Sequence, residues 1–325
     1  MRLDRVHPDL RGPVRRLPPL ALQYGWYRRL SRWAQRRFSR DAVGEGVTVE
    51  VTATPGGVPV RLYRPAGTAD SVGSSSRPGL LWIHGGGLVM GAAVQDDALC
   101  AGFVRATGAV IASVDYRLAP EHPFPAGHDD CADAWSWFVD AAPGLGVDPA
   151  RIAVGGQSAG GGIAAGLVQR LHDTETGSER RPVAQLLLCP MLDDRTAARK
   201  ELDAVRHRIW PNRQNRYGWG AWLGTAPGGP DGTVPPYAAP GRRDRFDGLP
   251  PAWIGVGDID LFREEDEDYA HRLREAGVPC HLVIVPGAPH GFEAWAAQTA
   301  VAREFLDDAS TWLRDALTAD PLPER

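Results

Sequence analysis

The chain has 325 residues, 43% of them hydrophobic and 23% charged, and carries a formal net charge of −4 at pH 7. A chain of this length and composition can bury a large single core. No stretch approaches the roughly 20 apolar residues that a membrane-spanning helix needs, and no continuous apolar core follows the basic N-terminal residues as in a signal peptide. The sequence therefore predicts a globular protein without stable membrane insertion.

The first 40 residues hold 11 arginines against Asp4 and Asp9, so the remainder of the chain is acidic. A basic arm of this kind could bind nucleic acid or an anionic membrane surface. Aromatic side chains are interleaved with the arginines, which favours amphipathic helices that fold onto the body of the protein. We therefore expect a cap segment over residues 1–45 and no nucleic-acid partner. The aromatic residues are Tyr24, Trp26, Tyr27, Trp33 and Phe38.

Short apolar runs alternate with helical patterns along the rest of the chain. The turn at residues 55–57 separates the first two runs and predicts an antiparallel hairpin at one edge of a sheet. The later alternation predicts an α/β fold, with a mostly parallel sheet of about eight strands and helices on both faces. The predicted strands are Val47–Thr52, Val58–Tyr63, Leu80–Ile83, Ala109–Val114, Ile152–Val154, Ala184–Leu188, Ala252–Val256 and His281–Val285, and the predicted helices include Asp129–Ala142, Gly160–Leu171, Glu264–Ala276 and Ala294–Leu317.

A serine lies in a glycine-rich turn near the middle of the chain, in the sequence Gly156-Gln157-Ser158-Ala159-Gly160. A short apolar run precedes it as a strand, and a helical pattern follows. A nucleophilic serine is presented in such a strand-to-helix turn. The residues two before and two after it must lack side chains so that strand and helix can approach closely. We interpret Ser158 as a candidate nucleophile.

Three successive glycines follow an earlier predicted strand, in the sequence His84-Gly85-Gly86-Gly87. Ester hydrolysis passes through a tetrahedral intermediate whose oxygen becomes negative, and backbone N–H groups must be fixed where that charge appears. The amides of the three glycines, together with that of Ala159, are predicted to form this oxyanion hole. His84 is interpreted as a hydrogen-bonding anchor that shapes the loop.

An acid and a base are expected to follow the serine, in that chain order. His290 lies in a loop rich in proline and glycine after the last predicted strand, and it is the candidate base. In the loop after the preceding strand, Asp258 and Asp260 compete as the acid. We choose Asp260 to accept from the imidazole, while Asp258 stabilises its loop. The acidic run at residues 264–268 is interpreted as a solvated helix N-terminus.

These motifs together resemble the bacterial hormone-sensitive-lipase family of α/β-hydrolase esterases, and the resemblance covers most of the chain. It implies an α/β-hydrolase fold, hydrolysis of esters with short to medium acyl chains, a helical cap over the site and no cofactor. It also implies Ser158 as nucleophile, Asp260 as acid and His290 as base. The matching stretches are residues 84–87, 115–126, 156–161, 190–194, 257–265 and 289–292.

Two positions depart from the family pattern. Gln157 precedes the candidate nucleophile where the family commonly has an acid, and Leu261 follows the candidate acid where proline is common. Neither change removes a catalytic group. The charge lost at position 157 could alter the local hydrogen bonds or the pH optimum.

No metal site is predicted. The proline-rich stretch 116–126 is interpreted as a stiff structural loop that passes near the glycines. A metal site built from Glu121, His122 and His128 is a poorly supported alternative. The cysteines lack the spacing of a zinc site and are predicted to be free thiols, which indicates a reducing cytoplasm. They are Cys100, Cys131, Cys189 and Cys280.

Two segments, residues 1–45 and 193–236, lie outside the alternation of strands and helices. They are predicted to form the cap, which leaves residues 46–192 and 237–325 as the catalytic domain. The second segment mixes aromatic residues with glycines, a composition that can line an acyl pocket and still move. Ordinary helix packing explains any single aromatic residue equally well. The candidate pocket residues are Leu88, Trp210, Tyr217, Trp219 and Trp222.

The sequence therefore predicts a cytoplasmic serine carboxylesterase that acts on a small-molecule ester. Two alternatives stay open. The same machinery could cleave an amide, a lactone, a carbamate or a polyester end, and the fold has also been reused in non-catalytic small-ligand receptors. The family often forms dimers through the edge of its sheet, so a homodimer is a further expectation.

Overall fold

The computed structural model describes residues 2–17, 21–38, 43–67, 76–175, 177 and 180–319. One sheet of eight strands runs through the described chain, with the strand order β1-β2-β4-β3-β5-β6-β7-β8. The strands are β1 (Val47–Ala53), β2 (Pro59–Pro65), β3 (Arg77–Ile83), β4 (Val110–Val114), β5 (Val147–Gln157), β6 (Gln185–Leu188), β7 (Ala252–Gly257) and β8 (Cys280–Val285).

The pairing of the strands confirms the predicted mixed sheet. β1 and β2 form an antiparallel hairpin in which Val47 lies opposite Pro65, and β2 is also antiparallel to β4. Every later pair, from β4 with β3 to β7 with β8, is parallel. The carboxyl ends of β3, β5, β6, β7 and β8 therefore meet at one edge of the sheet, where ligands bind in open α/β sheets.

Eleven α-helices lie among the described residues. The predicted helices are found within a few residues, except that the last one is interrupted between residues 295 and 300. The sequence pattern does not predict the third helix, and it starts the fifth strand at Ile152 instead of Val147. The helices are α1 (Arg11–Val14), α2 (Gly25–Phe38), α3 (Asp97–Thr107), α4 (Ala126–Ala141), α5 (Ala159–Thr174), α6 (Asp194–Ala198), α7 (Leu202–Val205), α8 (Asn212–Leu223), α9 (Arg263–Glu275), α10 (Phe292–Trp295) and α11 (Ala300–Thr318).

The core consists of two apolar layers, one on each face of the sheet. Successive residues of a strand point to opposite faces, so Leu81 and Ile83 pack in one layer while Leu80 and Trp82 pack in the other. Helices α4, α5 and α9 cover the first face, and α3 and α11 cover the second. Because both faces are covered, the central strands are continuous apolar runs. This arrangement is the α/β-hydrolase architecture, which confirms the predicted fold class.

The acidic run at residues 264–268 was predicted to be solvated, and this is wrong for two of its members. Glu265 is buried and accepts hydrogen bonds from the backbone N–H groups of Leu192 (2.7 Å) and Asp193 (3.3 Å). Asp266 is also buried. Burial raises the pKa of both carboxyl groups well above their usual range. Glu265 is thus a brace for the start of the segment at residues 193–236.

The aromatic residues in and just before α2 were predicted to pack onto the body, and Tyr27 does so. Tyr24, Trp26 and Trp33 are exposed, and the side chain of Phe38 lies outside the described residues. The helix is attached to the body by polar side chains instead, as described below. No helix in the described ranges is both long enough and apolar enough to cross a bilayer.

Candidate active site

Ser158 lies in a sharp turn between β5 and α5, with backbone angles φ 55° and ψ −122°. Few non-glycine residues adopt a positive φ, and strained backbone of this kind clusters at functional sites. The flanking glycines are required by close packing. A Cβ on Gly160 would lie 2.1 Å from the carbonyl oxygen of Ile83, and one on Gly156 would lie 2.4 Å from the carbonyl oxygen of Gly160. The turn is therefore the strand-to-helix elbow that the sequence predicts.

Three predicted site residues from three different loops meet at the carboxyl edge of the sheet. The hydroxyl Oγ of Ser158 lies 2.8 Å from Nε2 of His290. The other imidazole nitrogen, Nδ1, lies 2.9 Å from Oδ2 of Asp260. These distances make a continuous hydrogen-bonded chain from hydroxyl through imidazole to carboxylate.

The two competing aspartates have different surroundings. Asp260 is buried, and its second oxygen Oδ1 accepts a hydrogen bond of 3.0 Å from the backbone N–H of Phe262. Asp258 instead accepts a hydrogen bond of 2.5 Å from the backbone N–H of Gly287, in the loop that carries His290. The structure therefore brings Asp260 to the imidazole, and Asp258 ties the two loops together.

The three candidate catalytic residues are almost completely enclosed, with 7% of Ser158, 5% of Asp260 and 5% of His290 exposed. Burial on its own lowers the pKa of His290, because it penalises the charged imidazolium. The charge and hydrogen bond of Asp260 act in the opposite direction, and the pKa of His290 is raised overall. An imidazole in this setting is a strong proton acceptor for the adjacent hydroxyl.

The glycine loop lies directly beside the serine. A Cβ on Gly85 would lie 3.3 Å from the Cβ of Ser158, and one on Gly86 (φ 130°) would lie 2.0 Å from the carbonyl oxygen of Met90. Within the described residues, the backbone N–H groups of Gly86, Gly87 and Ala159 form no hydrogen bond to other backbone groups. Three amides next to the hydroxyl are thus available as donors.

His84 shapes this loop and does not contact the serine. Its Nδ1 lies 2.8 Å from the carbonyl oxygen of Gly85, and its ring stacks on Tyr116 with the centroids 4.4 Å apart. Tyr116 in turn donates a hydrogen bond of 2.9 Å to the carbonyl oxygen of His84. The nearby stretch 116–126 also contacts the loop, because the N–H of Ala119 donates to the carbonyl oxygen of Leu88 at 3.0 Å. His84 and the stretch 116–126 thus make the structural contacts with the glycine loop that the sequence predicts.

A second buried carboxyl group lies behind the triad, and sequence reasoning missed it. Glu293 accepts a hydrogen bond of 2.5 Å from Nε2 of Gln157, and Sγ of Cys189 lies 3.7 Å from the same oxygen. Burial raises the pKa of Glu293, while the hydrogen bond from Gln157 opposes that rise. Its place three residues after His290, the candidate base, was the signal available in the sequence.

The predicted pocket residues fall into separate environments. Trp210 lies over the glycine loop: a Cβ on Gly87 would lie 1.9 Å from its indole ring, and its ring centroid is 6.4 Å from that of His290. Tyr217 lies farther out, where the guanidinium of Arg28 is 5.3 Å from its ring centroid. Trp210 thus lies against both the glycine loop and the imidazole of His290.

The other candidates are part of the packing around the site. Trp222 donates a hydrogen bond of 3.1 Å to the carbonyl oxygen of Ala238 and makes an edge contact with Phe124 at 5.5 Å. Trp219 is completely enclosed. Leu88 is buried and has a positive φ of 69° in the turn that follows the glycines.

The residues of the alternative metal site do not come together within the described chain. Glu121 forms an ion pair with Arg32 at 2.9 Å, and His128 lies 3.3 Å from the guanidinium of Arg170. Potential ligand atoms of Cys189, Asp260 and His290 do lie within 4.8 Å of one another. Both imidazole nitrogens in that group are already occupied by the serine and the aspartate.

Comparison with known proteins gives one consistent picture. A family model described as the alpha/beta hydrolase fold matches residues 80–294. The chain is 35% identical to a carboxylesterase NlhH of Mycobacterium tuberculosis over 266 residues, which cover 81% of this chain and 79% of that protein. Two solved structures are also similar. One is the esterase LipW from Mycobacterium marinum (TM-score 0.83, 33% identity, 98% of both chains covered). The other is a bacterial heroin esterase (TM-score 0.87, 34% identity, 98% and 99% covered). This chain belongs to the α/β-hydrolase-fold family, as its resemblance to the hormone-sensitive-lipase-like esterases implied.

Proposed function

We propose that the protein is a serine carboxylesterase that hydrolyses small esters with short to medium acyl chains. The observation that carries this proposal is the hydrogen-bonded chain from Ser158 Oγ through His290 to Asp260, with distances of 2.8 Å and 2.9 Å. The names of the similar proteins, carboxylesterase and esterase, support the same class of reaction.

Acylation begins when Ser158 Oγ attacks the ester carbonyl carbon. His290 takes the hydroxyl proton on Nε2, and a tetrahedral intermediate forms with a negative oxygen. The amides of Gly86, Gly87 and Ala159 donate to that oxygen, while Gly85 forms the turn that holds them. When the intermediate collapses, the C–O bond to the alcohol breaks, and the imidazolium gives its proton to the leaving alkoxide oxygen.

Deacylation repeats the same steps with water as the nucleophile. His290 takes a proton from the water while the water oxygen attacks the acyl carbon. The bond from that carbon to Ser158 Oγ then breaks, and the imidazolium returns the proton to Oγ. Asp260 holds one tautomer of the imidazole and stabilises its charged form. The product is the carboxylic acid, and the free enzyme is regenerated.

We propose residues 1–45 and 193–236 as a cap over this site, with residues 46–192 and 237–325 as the catalytic domain. Two contacts support the cap. A Cβ on Gly218 of α8 would lie 2.6 Å from the carbonyl oxygen of Gly87, and the side chain of Gln214 donates to that of Gln23 at 3.2 Å. Trp210 then bounds the acyl pocket. Since the triad is enclosed, the cap must move for a substrate to enter.

Initial rates on p-nitrophenyl esters of increasing acyl length test the function, with wild type and Ser158→Ala measured in parallel. We expect a maximum at short or medium chains that disappears in the variant, with unchanged thermal unfolding. Near-background ester hydrolysis in both proteins would overturn the proposal. A faster rate on a matched amide or lactone would then identify a different scissile bond.

We propose a homodimer formed through the β8 edge of the sheet. β8 is the last strand in the sheet order, and Leu282, Val283 and Ile284 are only partly buried there. A sheet edge with unpaired backbone groups can pair with a second copy. Light scattering at several protein concentrations tests this, and a concentration-independent monomer mass would contradict it.

We infer that the protein works in the reducing cytoplasm. All four cysteines are free thiols, and three of them are buried, which suits a compartment in which disulfides do not form. Fractionation of cells that express the protein tests the location. Recovery from an oxidising compartment would contradict it.

A further inference from the structure

Helix α2 is amphipathic in the reverse of the usual sense, because its inward face is polar. Arg32 donates to the carbonyl oxygens of Val89 (2.7 Å) and Ala119 (2.8 Å), close to the glycine loop. Arg28 is 9% exposed and donates to the carbonyl oxygen of Leu22 at 2.8 Å. A surface helix of a globular protein normally turns its apolar stripe inward and its charges outward. Here the arginines hold the helix to the body.

The outward face carries the large apolar side chains. Trp26 is 66% exposed, Leu30 52% and Trp33 56%, and their spacing of four and three residues places them on one stripe of the helix. Tyr24, just before the helix, is 52% exposed. These four are the majority of the six large hydrophobic side chains that are exposed in the described chain. Concentration of such side chains on one face marks an interaction surface.

The same face is basic. Arg29 lies beside Leu30 on the stripe and is exposed, and Arg37 at the end of the helix is exposed as well. Arg36 is exposed too but forms an ion pair with Asp115 at 3.2 Å. The sequence of α2 contains no acidic residue. A partner for this face must therefore combine an apolar layer with negative charge.

We propose that the outward face of α2, formed by Tyr24, Trp26, Arg29, Leu30 and Trp33, binds an anionic lipid surface. A helix of this composition lies in the plane of the headgroups, with its indole rings at the boundary with the acyl chains and its arginines against the phosphates. The binding is peripheral, because the helix lies along the surface and does not cross it. It does not require the proposed esterase activity, since these side chains are exposed whereas Ser158, Asp260 and His290 are buried.

A second copy of this chain fits the face less well. In a symmetric pair the same patch meets itself, so the Arg29 side chains of the two copies would approach each other across the apolar stripe. Like charges at a contact oppose association, whereas an anionic surface complements them. Charge complementarity thus favours the lipid surface.

Vesicle flotation tests the proposal, with phosphatidylcholine vesicles and with vesicles that also contain phosphatidylglycerol. The wild type should partition onto the anionic vesicles, less so at high salt, and weakly onto the neutral ones. Replacing the stripe by Trp26→Ser, Leu30→Ser and Trp33→Ser should lower partitioning at least about tenfold. Circular dichroism should be unchanged. If the triple variant fails to fold, Trp26→Ser alone should still lower partitioning onto the anionic vesicles severalfold.

Two further variants sharpen the result. Arg29→Glu should lower binding to the anionic vesicles more than to the neutral ones. Val51→Ser removes a hydrophobic side chain that is also 66% exposed but lies on β1, and it should bind like the wild type. This pair separates the composition of the α2 face from a general effect of surface hydrophobicity.

Four results would overturn the proposal. The first is that the wild type does not bind anionic vesicles. The second is that the triple variant binds them as strongly as the wild type. The third is that Val51→Ser loses as much binding as the triple variant. The fourth is that the wild type does not bind vesicles but forms a dimer, or a complex with an oligonucleotide, that the triple variant does not form. That outcome would assign the face to a second copy or to nucleic acid.

Discussion

The carboxyl edge of the sheet and the helical segments above it are built in different ways. At the sheet edge, backbone packs against backbone, as where Gly160 meets the end of β3 with no room for a Cβ. Helix α2 is attached through side chains such as Arg32, which donates to the loop after the glycines, and Trp210, just before α8, lies over Gly87. Close backbone contact in this region is found where Gly218 of α8 meets the carbonyl oxygen of Gly87. Backbone packing leaves the first region little freedom, whereas a side-chain attachment can change without moving the sheet edge.

This difference separates two kinds of function in one fold. Catalysis needs a fixed geometry, because proton transfer and oxyanion stabilisation depend steeply on distance. Substrate selection and docking at a surface need side chains that can vary without disturbing that geometry. We therefore expect changes at the sheet edge to act on turnover, and changes in the helical segments to act on selectivity, stability or location.

Asp260→Asn should have the largest effect and would sharpen the comparison at the sheet edge. If the amide oxygen keeps the hydrogen bond from Phe262 N–H, the NH2 group faces His290 Nδ1 and favours the wrong imidazole tautomer, so kcat should fall about 10⁴-fold. Asp258→Asn is the matched control, because its carboxylate contacts only the loop backbone of Gly287 among its hydrogen-bond partners. Its rate should stay within about tenfold of the wild type. Equal losses in steady-state assays would contradict the assignment of the acid.

Trp210→Ala should change selectivity with little effect on the triad. Removing the indole from above Gly87 enlarges the acyl site, so the ratio of kcat/KM for long against short esters should rise about tenfold or more. Trp222→Phe is the control, since Trp222 contacts Phe124 and Ala238 and not the glycine loop. If the dependence of kcat/KM on acyl-chain length changes equally in both variants, Trp210 does not bound the acyl pocket in a way that Trp222 does not.

Arg32→Ala should act on stability alone. It removes hydrogen bonds to two backbone carbonyls and to Glu121, so the free energy of unfolding in urea should fall by about 1–3 kcal/mol. The rate on a soluble ester should stay within a few-fold of wild type. Arg29→Ala, on the exposed face of the same helix, should leave the unfolding curve unchanged. A large loss of kcat in Arg32→Ala would mean that the helical segment fixes the catalytic geometry.

Gln157→Glu should have the smallest effect, a shift of the pH profile. Activity needs neutral His290, and the pKa of His290 is raised above its ordinary value, so wild-type kcat/KM should fall on acidification with a midpoint above 6.5. A glutamate at position 157 would face Glu293 and add negative charge near the imidazolium. That charge favours the protonated form, so the midpoint should rise.

Glu293→Gln in the Gln157→Glu background restores a single carboxyl group to this position. The midpoint should return toward that of the wild type. Unchanged profiles in both variants would mean that the second buried carboxyl is not coupled to the triad.

The elements of the site that rest on backbone sterics were predictable from the sequence. Glycine at positions 156 and 160 and the triplet 85–87 reflect close approach, and alternating apolar runs give the parallel sheet whose edge collects Ser158 and His290. These patterns are local, so they can be read residue by residue.

What could not be predicted depends on the direction of single side chains. The aromatic residues of α2 look like packing residues in the sequence, yet Trp26 and Trp33 point outward because arginines occupy the inward face. Glu265 looks like one more charge in a solvated run, yet its carboxylate caps backbone N–H groups from another segment. Such contacts join residues far apart in the chain, so local composition and spacing do not predict them.

Labelling with a serine-directed organophosphate tests the central claim most directly. After inactivation, the protein should gain the mass of one phosphoryl adduct, and peptide mass spectrometry should assign it to Ser158, with no adduct on the Ser158→Ala variant. Full inactivation with Ser158 unmodified, or an active preparation that the reagent does not label at all, would contradict the assignment of the nucleophile.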